Sequence, residues 1–133
     1  MYILYDMTCD YIKNPRGIDH QRPLFSWKIQ GEEQEIRQEA YRIQVASSKE
    51  ALKTGRCDCW DSGRVQSGCS AGIAYKGIAF QSRTMYYWRI QIWINKAAEA
   101  ITGEIQDFET SLLYPEDFFA DWVGFGPALE GNC

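Results

Sequence analysis

Apolar and polar side chains alternate with a period of two in three stretches of this 133-residue chain. In "LFSWKIQ", Phe25, Trp27 and Ile29 share one parity, and Ser26 and Lys28 share the other. In "AYRIQVASS", Tyr41, Ile43 and Val45 alternate with Arg42 and Gln44. The third stretch, "TMYYWRIQIW" with Ile94 just beyond it, sets Tyr86, Trp88, Ile90, Ile92 and Ile94 against Tyr87, Arg89, Gln91 and Trp93. A period of two sends alternate residues to opposite faces of a strand, so these segments read as antiparallel strands buried on one face. Their β-branched and aromatic content suits a pleated surface. Turn signals lie between them: Asn14-Pro15, Gly31, Asp61-Ser62-Gly63 and Lys76-Gly77. One segment reads as a short helix bridging two strands. "SSKEALKTG", 47–55, has a serine cap, a glutamate near the first turn and Gly55 as its stop. "ITGEIQDFET" reads as a last strand ending near Thr110. The pattern predicts an all-β fold, a sandwich of about seven antiparallel strands. It fills residues 1–110 and leaves 111–133 as a separate tail.

Composition adds that a substantial core can be built, since 45% of residues are hydrophobic and 24% charged. A net charge of -4, with no cluster of Lys and Arg, argues against a nucleic-acid partner. No apolar run approaches the length of a membrane span, so no membrane partner is expected. The N-terminus "MYILYDMTCDYIK" lacks the basic start, apolar stretch and small-residue cleavage site of a signal peptide, and a cytoplasmic location is expected.

Few residues suggest chemistry. The five cysteines, Cys9, Cys57, Cys59, Cys69 and Cys133, are odd in number and lack an export signal, which favours free thiols. Cys57, Cys59, Cys69 and His20 match no standard zinc spacing. His20, the sole histidine, lies in the loop "GIDHQRP" with no Ser or Cys partner in view, and reads as a surface residue. The acidic run "GEEQE" at 31–35 reads as a solvated turn, and Glu116 and Asp117 lie near the C-terminus. "GRVQSGCSAG" lacks the Lys-Ser/Thr ending and the following helix of a phosphate loop. The expectation is therefore no catalytic residue, no cofactor and no metal.

Phe80, Thr84, Tyr86, Trp88, Ile90 and Ile92 follow a spacing that resembles the F strand of fibronectin type III domains, a branch of the immunoglobulin-like sandwiches. The resemblance implies that the hydroxyl of Tyr86 bonds back to nearby backbone and fixes the start of that strand. It also makes Trp27 the counterpart of the core tryptophan of the second strand, with Trp88 beside it in the core. The order "NPRGID", "FSW", "QEAYRIQVASS", "WDSGRVQS", "SRTMYYWRIQIW", "FETSLL" and "DWVG" resembles the start of bacterial α-L-rhamnosidases of the large glycoside hydrolase type, from about residue 8 to residue 124. In that family such a domain precedes a jelly-roll module, further β domains and a catalytic (α/α)6 barrel. The inverting chemistry needs an acid and a base carboxyl roughly 6.5–9.5 Å apart, and in the family both lie in the barrel. No position here corresponds to them.

The resemblance implies a non-catalytic structural or docking module, with the downstream domains of the parent rhamnosidase as partners. The outer parity of the aromatic strand, Tyr87, Arg89, Gln91 and Trp93, is the candidate contact face. Three readings stand for it: docking of a neighbouring domain, packing beneath the chain's own loops, or a platform for a sugar ring. Under the last, the chain is a small carbohydrate-binding domain, although in the family rhamnose binding outside the barrel belongs to another module. The tail "YPEDFFADWVGFGPALEGNC" carries Phe118, Phe119, Trp122, Val123 and Phe125, too apolar for a free linker. It reads as the start of a truncated next module, and a weak homodimer through it is a further expectation.

Overall fold

The long aromatic stretch forms β8 (Met85–Ile94), and its burial alternates without a break. Tyr86, Trp88, Ile90, Ile92 and Ile94 are buried, while the residues between them are half-buried. The computed structural model describes residues 2–32 and 35–113. The elements before β8 are β1 (Tyr2–Cys9), β2 (Arg16–Ile18), β3 (Leu24–Gly31), β4 (Gln38–Ala46), α1 (Lys49–Lys53), β5 (Trp60–Asp61), β6 (Val65–Gln66) and β7 (Ile73–Ala74). β9 (Ile101–Thr102) and β10 (Gln106–Thr110) follow it.

Two sheets face each other. One is three-stranded, in the order β1-β3-β7. The other is seven-stranded, in the order β2-β10-β8-β4-β5, with β6 paired to β4 and β9 to β8. The fold is an all-β sandwich, as the period of two predicts. The strand count differs: among the described residues ten segments stand where about seven were expected. The excess lies in short pieces. The expected single last strand breaks into β9 and β10 around Gly103, whose N–H bonds the Ile90 carbonyl. A Cβ there would come within 2.8 Å of Met7 Sδ, so close approach to the opposite sheet interrupts the pairing. Nor is every pair antiparallel. β2 runs parallel to β10, because the chain leaving β1 crosses to the other sheet before returning as β3.

The core is largely aromatic. The Phe25 ring lies 4.6 Å from Trp88 and 6.1 Å from Phe108, and Phe80 lies 4.2 Å from Tyr75 and 4.6 Å from Tyr86. Each such pair adds about 0.5–1.5 kcal/mol beyond the area it buries. Trp27 and Trp88 are core residues, as the resemblance implies. Trp27 Nε1–H donates to Gln38 Oε1 at 2.7 Å across the two sheets. The Gln38 amide then donates to the carbonyls of Ser67 and Cys69. Among the described residues every buried side-chain nitrogen and oxygen has a partner.

Ser26 and Gln44 lie at the outward-pointing positions of their strands, yet both are buried. The segment that includes Gly72 lies over Ser26, whose hydroxyl accepts the Gly72 N–H. The helix α1 is capped by Ser48, whose hydroxyl accepts the Ala51 N–H, and Gly55 follows with φ +78°. A tight turn closes the end of β1: Cys9 and Ile12 exchange backbone hydrogen bonds of 2.9 and 3.1 Å, with Asp10 and Tyr11 at φ 52° and 64°. Positive φ at both central residues is the type I′ geometry. Of the predicted tail, residues 111–113 are described, and Leu113 packs against the core. The apolar positions Phe118 to Phe125, and the homodimer expected from them, lie outside the described residues.

Candidate functional site

The four predicted contact residues share one face because β8 is a regular strand. Their positions in the ladder decide what each meets. Tyr87 stands opposite Ala46, Arg89 opposite Gln44, Gln91 opposite Arg42, and Trp93 opposite Ala40. The structure therefore brings Tyr87, Arg89, Gln91 and Trp93 into one row, as expected from their parity.

Each member of that row is already engaged within the chain. Lys49 Nζ lies 5.8 Å from the centre of the Tyr87 ring, and the Arg64 guanidinium lies 4.5 Å from that of Trp93. Both are cation–π distances. Arg89 donates to Gln44 Oε1 at 2.9 Å and to the Leu52 carbonyl at 3.1 Å, tying the helix to the sheet. Gln91 donates to Thr102 Oγ1 at 3.2 Å. The sequence does not reveal these covers, because Arg64 and Lys49 reach the face from a loop and a helix distant along the chain. Gln44 occupies an outward polar position, yet the Arg89 fork and α1 leave it only 3% exposed.

The titratable groups around this face have structural roles. Asp61 receives a two-pronged Arg42 guanidinium, with Nε to Oδ1 at 2.8 Å, and the Gly63 N–H. These bonds hold its carboxyl at about 2, so it stays ionised and cannot serve as a general acid near neutrality. His20 is half-buried rather than a free surface residue. Its Nε2 meets Asp10 Oδ2 at 2.6 Å, while Asp10 Oδ1 accepts the Leu24 N–H. Burial pushes the Cys59 thiol to about 12 and the Cys9 thiol up as well, so neither is a nucleophile near neutrality. Cys9, Cys57 and Cys59 carry free thiols, whereas Cys69 is disulfide-bonded, contrary to the expectation of free thiols. Among the described residues no group of three or more His, Cys, Asp or Glu side chains is placed to hold a metal ion, and no helix is long and apolar enough to cross a membrane.

Residues 4–114 match the family described as the Rha78A-like, N-terminal immunoglobulin domain. An α-L-rhamnosidase of Formosa agariphila is 36% identical over 119 residues, which are 90% of this chain and 13% of that protein. The solved structure of an α-L-rhamnosidase from Dictyoglumus thermophilum superposes with a TM-score of 0.82 at 33% identity, over 88% of this chain and 13% of that one. The Streptomyces avermitilis α-L-rhamnosidase complexed with L-rhamnose gives a TM-score of 0.81 at 30% identity, over 93% of this chain and 12% of that one. The chain thus spans about an eighth of the length of these relatives.

Proposed function

The chain belongs to the Rha78A-like N-terminal immunoglobulin domain family, and on that premise we propose that it is a non-catalytic structural and docking module of an α-L-rhamnosidase. The observation that carries this reading is proportion: the relatives bear the activity in their names, and this chain covers 12–13% of their length. Hydrolysis of a terminal α-L-rhamnoside with inversion needs an acid carboxyl, a base carboxyl and a water held around the sugar. Asp61, locked to Arg42, is unsuited to the acid role. The downstream domains of the parent enzyme supply the chemistry, and this sandwich supplies a rigid body on which they rest.

The candidate face on β8 favours a structural role over sugar binding. A sugar platform needs an open ring face, and the Arg64 guanidinium already lies over that of Trp93. Trp93→Ala is expected to weaken packing of the chain without altering any affinity for L-rhamnose. The deciding experiment is hydrolysis of p-nitrophenyl α-L-rhamnopyranoside by the purified chain. No turnover above buffer is expected; turnover that survives purification would end the module reading.

A further inference from the structure

The two sheets part at one edge of the sandwich, where β5 and β6 border the larger sheet and β7 ends the smaller one. A cavity of about 420 Å³ opens there, within the range of small-molecule sites, about 300–1,000 Å³. Its lining includes Tyr41 of β4, Trp60 of β5, Val65 of β6 and Ile73 of β7, with Ser67 and Lys76. The wall over residues 67–74 is fixed before any ligand arrives. Gln38 holds the carbonyls of Ser67 and Cys69, and the Trp27 N–H donates to the Ser70 carbonyl at 2.9 Å. The Gly72 N–H donates to Ser26 Oγ at 3.1 Å, and Ile73 and Ala74 pair with Phe25 and Leu24. The polar groups of the cleft divide into two sets. Asp61 is taken by Arg42, and the Ser62 hydroxyl accepts the Ile43 N–H and donates to the Gly63 carbonyl. The other two hydroxyls have capacity left. Ser67 Oγ accepts the Cys69 N–H and donates to no described residue, and the Tyr41 hydroxyl bonds none. The Tyr41 and Trp60 rings lean on the core through Trp27 and Tyr75, yet both are only half-buried.

We propose that this cleft binds a single neutral pyranose sugar residue, with a C–H face on the Trp60 ring and sugar hydroxyls on those of Tyr41 and Ser67. The chemistry of the lining selects this class. An aliphatic ligand would strip water from both hydroxyls without replacing it, which costs free energy. An anion would face the Asp61 carboxylate as well as the Lys76 ammonium. A sugar ring offers both surfaces that the cleft needs. Its C–H groups suit an aromatic wall, and its hydroxyls donate or accept as Tyr41 and Ser67 require. The Lys76 charge acts on the Tyr41 phenol, against the effect of burial, so a cationic donor stands near that hydroxyl. The site is separate from the β8 row: that row lies on the outer face of the larger sheet, whereas the cleft opens between the sheets. A sandwich that carries it can still serve as a structural module.

The test is an NMR titration of the isotope-labelled 133-residue chain with L-rhamnose, D-glucose and D-galactose in turn. Each sugar is raised to about 50 mM, above the millimolar dissociation constants of weak sites. For at least one sugar, saturating shifts are expected at the Trp60 indole and at the amides of residues 67–76, with the Trp93 indole unmoved. Tyr41→Phe keeps the ring and removes the hydroxyl, and should weaken that binding about fivefold. Tyr5→Phe, on β1 at the opposite edge of the smaller sheet, should leave it unchanged. No saturating shift with any of the three sugars would overturn the proposal, as would shifts confined to the β8 row. Equal affinity in Tyr41→Phe would overturn it too, and should that variant fail to fold, the position of the shifts in the parent chain decides.

Discussion

The backbone N–H of Gln81 donates to the hydroxyl of Tyr86 at 2.8 Å, closing a corner over residues 81–86 at the start of β8. The Tyr86 ring is buried against Phe80 and Phe108, so the corner joins the main strand to the aromatic core. Tyr86→Phe keeps the ring and removes the acceptor. A partly buried N–H left without its partner costs about 1–3 kcal/mol, and the denaturation midpoint is expected to fall by that equivalent. Urea unfolding followed by tryptophan fluorescence measures it.

Gly77 gives a test of packing alone. A Cβ at this position would collide with the Cys59 carbonyl, the Tyr75 hydroxyl and Trp60 Cβ. Backbone on one side and a buried ring on the other leave little room to yield. Gly77→Ala is expected to destabilise by about 1–3 kcal/mol, the range for overpacked interiors. Gly63→Ala would be a poor control, since its φ of +69° adds strain of a different kind. A thermal melt of Gly77→Ala against the parent chain gives the answer.

The Asp10–His20 pair predicts a pH dependence. His20 titrates above its ordinary value near 6.5, chiefly because its ring N–H meets the Asp10 carboxylate. Burial works against this shift, and the charges of Asp10 and Asp19 add to it. A raised value in the folded state means that folding favours the protonated ring. That contribution is complete below the unfolded value and disappears as pH rises through the folded one. The chain should therefore lose stability between about pH 6.5 and the raised folded value, and His20→Gln should flatten the profile across that window. Denaturation midpoints of both proteins at a series of pH values provide the comparison.

Tyr11 predicts a gain from a substitution at an exposed position. Its φ of 64° costs an L-residue about 1–2 kcal/mol relative to glycine, while its ring is mostly in solvent. Glycine loses more freedom on folding, which offsets part of the relief. Tyr11→Gly is expected to stabilise the isolated chain by up to about 1 kcal/mol, read as a higher melting temperature.

The parity of β8, the serine cap of α1 and the Tyr86 corner were legible because each depends on residues close in the chain. Alternation over ten positions admits one half-buried strand, and a capping hydroxyl acts within one helical turn. The break of the last strand at Gly103 was not legible, since Met7 and Leu4 of the opposite sheet cause it. The candidate face shows the same division. Its four members share one parity and so one row, but their covers, Lys49, Arg64 and the Leu52 carbonyl, depend on how distant segments fold over them. The exposure of Ile3 and Tyr5 on β1 was not legible, because a bulge between Tyr5 and Thr8 breaks the alternation there.

Gln38 has a consequence for mechanics. Its carbonyl oxygen grips a ring of one sheet, its own backbone belongs to the other, and its amide nitrogen holds the strap of residues 67–69. Sliding one layer over the other would have to break the Trp27–Gln38 bond and pull on the strap that the same side chain holds. The sandwich should therefore resist shear and turn as one block when either layer is pushed.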